Sequence, residues 1–78
     1  MEPEDLRDIV VANIRRWATK KGMSLNRLAD FAGIDRSGLY QVLRGDVAMT
    51  TDRICRLATA LEVEPWILLK EFDEDDDE

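Results

Sequence analysis

Five side chains with the chemistry to contact a nucleic acid fall within nine residues of this chain. They are Arg36, Ser37, Tyr40, Gln41 and Arg44, in the segment RSGLYQVLR. An arginine guanidinium offers a planar fork of donors that matches N7 and O6 of guanine, and it also matches a phosphate. A glutamine amide offers the donor–acceptor pair that adenine presents in the major groove. Serine and tyrosine hydroxyls can bond a base edge or a backbone oxygen. On a helix these positions share one side, opposite Leu39, Val42 and Leu43. Beyond Asp35 no acid interrupts that side, whereas a merely solvated face usually mixes Glu with Lys. An ordinary exposed helix face stands as the alternative.

Such residues need a scaffold, and the apolar spacing supplies a helical one. From Glu4 to Lys21, Leu6, Val10, Ile14, Trp17 and Ala18 recur at the interval of an amphipathic helix. Pro3, Glu4 and Asp5 suit its start, and Lys20, Lys21 and Gly22 its end. Ser24 is placed to cap a second helix whose inner face is Leu25, Leu28, Ala29 and Ala32. Gly33 can stop that helix within one residue by turning left-handed. Asp35 caps the third helix and Gly45 closes it. After the loop GDVAM, Thr50 or Thr51 caps a fourth helix with Ile54, Leu57, Ala58 and Leu61 on one side. Pro65 opens a fifth, carrying Trp66, Ile67, Leu68, Leu69 and Phe72. No strand pattern or internal repeat appears, so the expected class is all-α. Helices two and three, joined by a glycine turn, have the form of a helix-turn-helix, although bundles also turn corners this way.

Composition narrows the possible functions. Seventy-eight residues with 45% hydrophobic content make one domain with a small core. The absence of histidine removes the commonest general base and transition-metal ligand, and so small a bundle offers little pocket in which to tune a carboxylate. Neither an enzyme nor a metal or cofactor site is expected. The single cysteine, Cys55, cannot form an internal disulfide, which fits a reducing, cytoplasmic setting. It is expected to pack beside the core face of the fourth helix, with a redox role as the alternative. No apolar run is long enough for a membrane span, and the acidic start MEPEDLRD lacks the basic region of a signal peptide.

The formal charge of −6 is unevenly placed. Residues 1–70 carry all 11 Lys and Arg against 10 Asp and Glu, a net of +1; residues 71–78 carry the other seven acids, a net of −7. The expected organisation is therefore a domain over residues 1–72 and a disordered acidic tail over 73–78. Arg15, Arg16, Lys20 and Lys21 could draw a polyanion toward the first helix or simply complement its dipole.

From Asn13 to Lys70 the sequence resembles the Cro/repressor type of helix-turn-helix, the XRE family. The resemblance lies in KKGMSLNRLADFAGIDRSGLYQVLRG followed by RICRLATALEVEPWILL. It implies a compact five-helix bundle of the lambda-repressor-like type and a small sequence-specific transcriptional regulator of double-stranded DNA. It further implies that Arg36, Ser37 and Gln41 fall where the family touches bases, with Tyr40, Arg44 and Ser24 better placed for phosphates. Three departures stand out. Leu25 occupies a position where many members hold a phosphate with Gln. The loop after the third helix has an acid and no base. Ala18 and Leu43 replace a buried Arg–Glu pair, an exchange that is often neutral or stabilising.

Five apolar residues among the seven from Trp66 to Phe72 exceed what one core-facing stripe can bury. Because family members often pair through this region, the resemblance implies a homodimer reading a palindrome, with Ile67, Leu68 and Phe72 at its interface, joined by Ile9 or Val11. The different-class alternative is a helix-turn-helix fold serving as an antirepressor-like module for a protein partner. Gly38 is unusual inside a helix, where it costs about 1 kcal/mol against Ala. It either lets the backbone approach DNA or relieves crowding against the second helix.

Overall fold

The computed structural model describes residues 1–71. Phe72 and the acidic segment 73–78 lie outside the described residues. Five helices follow one another: α1 (Pro3–Lys20), α2 (Leu25–Ala32), α3 (Arg36–Arg44), α4 (Thr51–Leu61) and α5 (Pro65–Leu69). No strand occurs among the described residues. The expected five-helix, all-α architecture is thus the observed one.

Local chemistry sets most of the helix ends. Pro3 sits in the first turn of α1, and the Glu2 backbone N–H donates to Asp5 Oδ2 at 3.2 Å. Ser24 Oγ accepts from the Arg27 amide at 3.1 Å, Asp35 Oδ2 from Gly38 at 3.3 Å, and Thr50 Oγ1 from Arg53 at 3.2 Å. Each of these caps satisfies an amide that the helix cannot use internally, a contribution of about 1 kcal/mol. Of the two threonines, Thr50 is the cap. The end of α4 departs from the usual pattern: Glu62, not glycine, takes the left-handed conformation at φ 62°.

The core gathers Val10, Ile14 and Ala18 of α1, Leu28, Ala29 and Ala32 of α2, and Leu39 and Leu43 of α3. It is completed by Leu57, Ala58 and Leu61 of α4 and Leu68 of α5. Ala18 and Leu43 both lie in it, so apolar contact fills the place where the family often carries an ion pair. Leu6 leads the expected α1 stripe but stays 38% exposed at the helix's free end. Cys55 is exposed, one position off the buried face of α4, so the expected packing role does not hold.

One correction concerns α5, which packs on α1 and α4. Leu68 was expected at a subunit interface, but it is fully buried in the monomer's own core. The side chains that α5 leaves outside are Trp66, 58% exposed, and Leu69, 39% exposed, with Ile67 half-buried beside them. In five residues with four apolar side chains, the periodicity is too short to say which one turns inward.

Asn13 holds α5 in place. It is the sole buried polar residue among the described ones. Its Nδ2 donates to the carbonyls of Leu68 at 2.9 Å and Lys70 at 2.7 Å, and its Oδ1 accepts from Arg16 Nη1 at 3.3 Å. A five-residue helix cannot persist alone in water. The amide of Asn13 donates to carbonyls at its C-terminal end, which the helix does not satisfy internally. Asn13→Ala should therefore remove both hydrogen bonds and destabilise the protein by about 2 kcal/mol, lowering the melting temperature by about 10 °C. Urea and thermal unfolding of the variant against the parent protein measure this directly.

Candidate nucleic-acid interface

The polar face identified in the sequence belongs to α3, and its placement starts at the turn before it. Gly33 adopts φ 70°, ψ 31°, the left-handed geometry that ends α2 at once. The Ile34 amide then donates to the Ala29 carbonyl at 2.9 Å, closing the turn. Ala29 is fully buried, and its single methyl group lets the backbones of α2 and α3 come close. On the inner side of α3, Leu39, Val42 and Leu43 are buried. Gly45, at φ 85°, ends the helix, and the guanidinium of Arg7 lies where a side chain at that position would project.

This packing turns Arg36, Ser37, Tyr40, Gln41 and Arg44 outward together, and all five are exposed. Arg36 is the first residue of the helix, the end that a recognition helix leads into the major groove. Its Nε donates to Asp30 Oδ1 at 3.2 Å and its Nη2 to Asp30 Oδ2 at 2.7 Å. Those hydrogen bonds hold the Asp30 carboxyl below its usual range and raise Arg36 above its own. Both groups are charged at neutral pH, and acid that protonates Asp30 would break the pair. Tyr40 donates its hydroxyl to Asn26 Oδ1 at 3.3 Å, and Arg44 Nε donates to Asp46 Oδ2 at 3.2 Å. Ser24 stands apart from this face, at the start of α2, with its oxygen already accepting from the Arg27 amide.

Gly38 has room for a side chain. A methyl group there would meet Asp35 Cβ at 3.7 Å and Ile34 Cγ2 at 3.8 Å, ordinary contacts within the turn. No atom of α2 is among them, so relief of crowding against α2 does not explain the glycine. The loop after α3 carries no cation of its own, but α4 braces it: Arg53 Nη1 donates to the Ala48 carbonyl at 2.8 Å.

Several features escaped the sequence reading. Asp30 and Asn26 lie one turn apart on α2 and meet Arg36 and Tyr40, one turn apart on α3. Nothing in the periodicity marks an exposed Asp as the partner of an Arg on the next helix; a polar i, i+4 pair facing another such pair was the available hint. Around Trp17 the cations Lys20, Arg16 and Lys21 lie 4.9, 5.9 and 6.0 Å from the ring centre, a contact that neither the dipole nor the steering reading contained. Phe31 is 60% exposed on α2, with the Arg27 guanidinium 5.7 Å from its ring. Among the described residues no group of His, Cys, Asp or Glu could hold a metal, and no helix is long and apolar enough to cross a membrane.

This geometry has close counterparts. A helix-turn-helix family model matches residues 14–65. Among solved structures, the chain is similar to a hypothetical transcription factor, NHTF, from Neisseria, with 31% identity and a TM-score of 0.81 over 91% of this chain and 82% of that one. It is also similar to the restriction-modification controller protein C.AhdI from Aeromonas hydrophila, with 37% identity and a TM-score of 0.72 over 80% of this chain and 94% of that one. No curated protein sequence matches significantly. From the turn at Gly33, the polar face of α3 and these similarities together, the chain belongs to the Cro/repressor-type (XRE) helix-turn-helix family of non-enzymatic DNA-binding proteins.

Proposed function

We propose that this protein is a sequence-specific transcriptional regulator that binds a palindromic operator as a homodimer. The observation that carries the reading is the outer face of α3, free of acids from Arg36 to Arg44 and held on a rigid corner by a buried inner face. Arg36, Ser37 and Gln41 are assigned to base edges, Arg36 to guanine and Gln41 to adenine. Tyr40, Arg44 and Ser24 are assigned to the phosphate backbone, where they set register and carry no sequence information. The restriction-modification controller among the similar structures supports a regulatory role for the fold.

The dimer reading rests on α5. Trp66 and Leu69 are large, apolar and exposed, and Ile67 is half-buried between them. With Leu68 inside the core, Ile67, Trp66 and Leu69 take over the interface role, with Ile9 or Val11 of α1 extending it. Phe72, which belongs to the same assignment, follows three residues after Leu69 in the sequence. A twofold axis through α5 would set two recognition helices about 34 Å apart, one turn of B-DNA.

Selection of bound duplexes from a random pool at fixed salt tests the reading as a whole, and failure to enrich any motif would overturn it. Arg36→Ala should lose about 1–3 kcal/mol and relax preference at one base position, while Arg44→Ala should weaken all sequences about equally. Uniform losses in both variants would remove Arg36 from base reading. The dimer is checked by sedimentation at tens of micromolar, where the parent protein should run as a dimer and Ile67→Glu as a monomer. Gly38→Ala should raise the unfolding free energy, by up to about 1 kcal/mol, because the methyl group meets only ordinary contacts in the protein. The same variant should bind the selected duplex several-fold more weakly, because the methyl group would hold the α3 backbone away from DNA. Unchanged affinity would show that Gly38 is not needed for close approach.

A further inference from the structure

The guanidinium of Arg36 has two usable edges, and the protein occupies just one. Asp30 takes the side edge, receiving Nε on one carboxylate oxygen at 3.2 Å and Nη2 on the other at 2.7 Å. The end edge is formed by Nη1 and the second hydrogen of Nη2, and it has no partner among the described residues. That edge is itself a planar two-donor fork, the shape that N7 and O6 of guanine accept. One guanidinium can therefore hold a carboxylate at its side and a guanine at its end in the same plane.

The clamp's location argues against a role in stability. The side chains of Arg36 and Asp30 are 58% and 55% exposed, and ion pairs so exposed contribute little to folding. What such a pair does accomplish is order. An unrestrained arginine loses rotamer freedom when it docks, and a side chain already fixed in its bound geometry does not. The neighbouring rung, in which Tyr40 donates to Asn26, extends the same seam along α2 and α3 and restrains the next side chain of the face. Charge adds a second effect. A guanine edge is neutral overall, but a phosphate drawn to Arg36 would also approach the Asp30 carboxylate and be repelled.

We propose that Asp30 is a positioning residue for base recognition: it grips Arg36 from the side, so that the free edge is presented to a guanine and disfavoured for a phosphate. This rests on the assignment of Arg36 to base reading made above. It makes Asp30, a residue outside the recognition helix, a determinant of sequence preference.

The experiment compares the parent protein with Asp30→Ala, Asp30→Asn, Arg36→Ala and the Asp30→Ala/Arg36→Ala double variant. Each is measured on duplexes recovered by selection from a random pool, on their single-base variants, and on a random duplex. Asp30→Ala should reduce discrimination at the position read by Arg36 by about three- to tenfold, with other positions unchanged. Affinity for the random duplex should hold or rise, since one negative charge has been removed. Asp30→Asn, of equal size but with one acceptor oxygen instead of two, should behave like Asp30→Ala. In the Arg36→Ala background, removing Asp30 should change discrimination no further.

If Asp30→Ala lowers affinity for every duplex in proportion and lowers the melting temperature, the pair is a structural link and the proposal fails. If affinity and discrimination both rise, Asp30 is a competitor for Arg36, and the proposal fails in the other direction. If Arg36→Ala flattens one guanine position while Asp30→Ala leaves it intact, base reading by Arg36 stands and the positioning role alone is overturned. If Arg36→Ala changes no position, the base-reading assignment falls, and the positioning role falls with it.

Discussion

The chain turns out of α2 at Gly33, and the functional geometry depends on that turn. With φ at 70°, the backbone leaves α2 and reaches α3 through three residues, 33–35. Two helices joined so tightly must cross steeply, and Leu28, Ala29 and Leu39, all fully buried, fill the angle from below. Any side chain at position 33 would be strained in this conformation, and its Cβ would lie 3.4 Å from Arg56 Nη1 of α4. A slower turn would move α3 off the core and separate Arg36 from Asp30. The corner thus sets both the attitude of the recognition face and the contacts across it.

The charges near that face follow a consistent arrangement. Arg36, Arg44 and Arg56 each meet an aspartate: Asp30 at 2.7 Å, Asp46 at 3.2 Å and Asp52 at 2.9 Å. Local pairing of this kind matches the near-balance of charge over residues 1–70 and limits undirected attraction to a polyanion. A protein built this way must draw more of its affinity from contacts of defined geometry than from its overall field. Within the family, it departs in the same direction at Leu25 and in the acidic loop after α3.

What could be read from the sequence divides along a physical line. Helix number, the caps at Ser24 and Asp35, a threonine cap at 50 or 51, and the turns at Gly33 and Gly45 depend on residues within four positions of one another, and all are legible. The outward face of α3 was legible for the same reason, because a nine-residue amphipathic pattern has a definite phase. Asn13 was not, since its meaning lies 55 and 57 residues away at the carbonyls of Leu68 and Lys70. Leu68 itself was misassigned to the outside because nearly every residue of α5 is apolar. Asp30 was overlooked because acids were sought on the recognition helix and the relevant one sits on its neighbour.

The bond from Asn13 to the end of α5 also bears on how the protein is made. It joins the first helix to the last, as does the burial of Leu68 in a core shared with Val10 and Ile14. During synthesis the ribosome delivers α1 first, and its apolar stripe has no α5 to cover it until about residue 70 has emerged. Residues of α2 and α4 also join that core, but α1 makes its most extensive contact with α5, so its surface is complete only once α5 docks. Nascent chains that stall before Leu68 would carry an uncovered Val10–Ile14 stripe, the kind of surface that chaperones and proteases engage. A fragment ending before Leu68 would therefore keep the recognition helix but lack the last piece of the core beneath it.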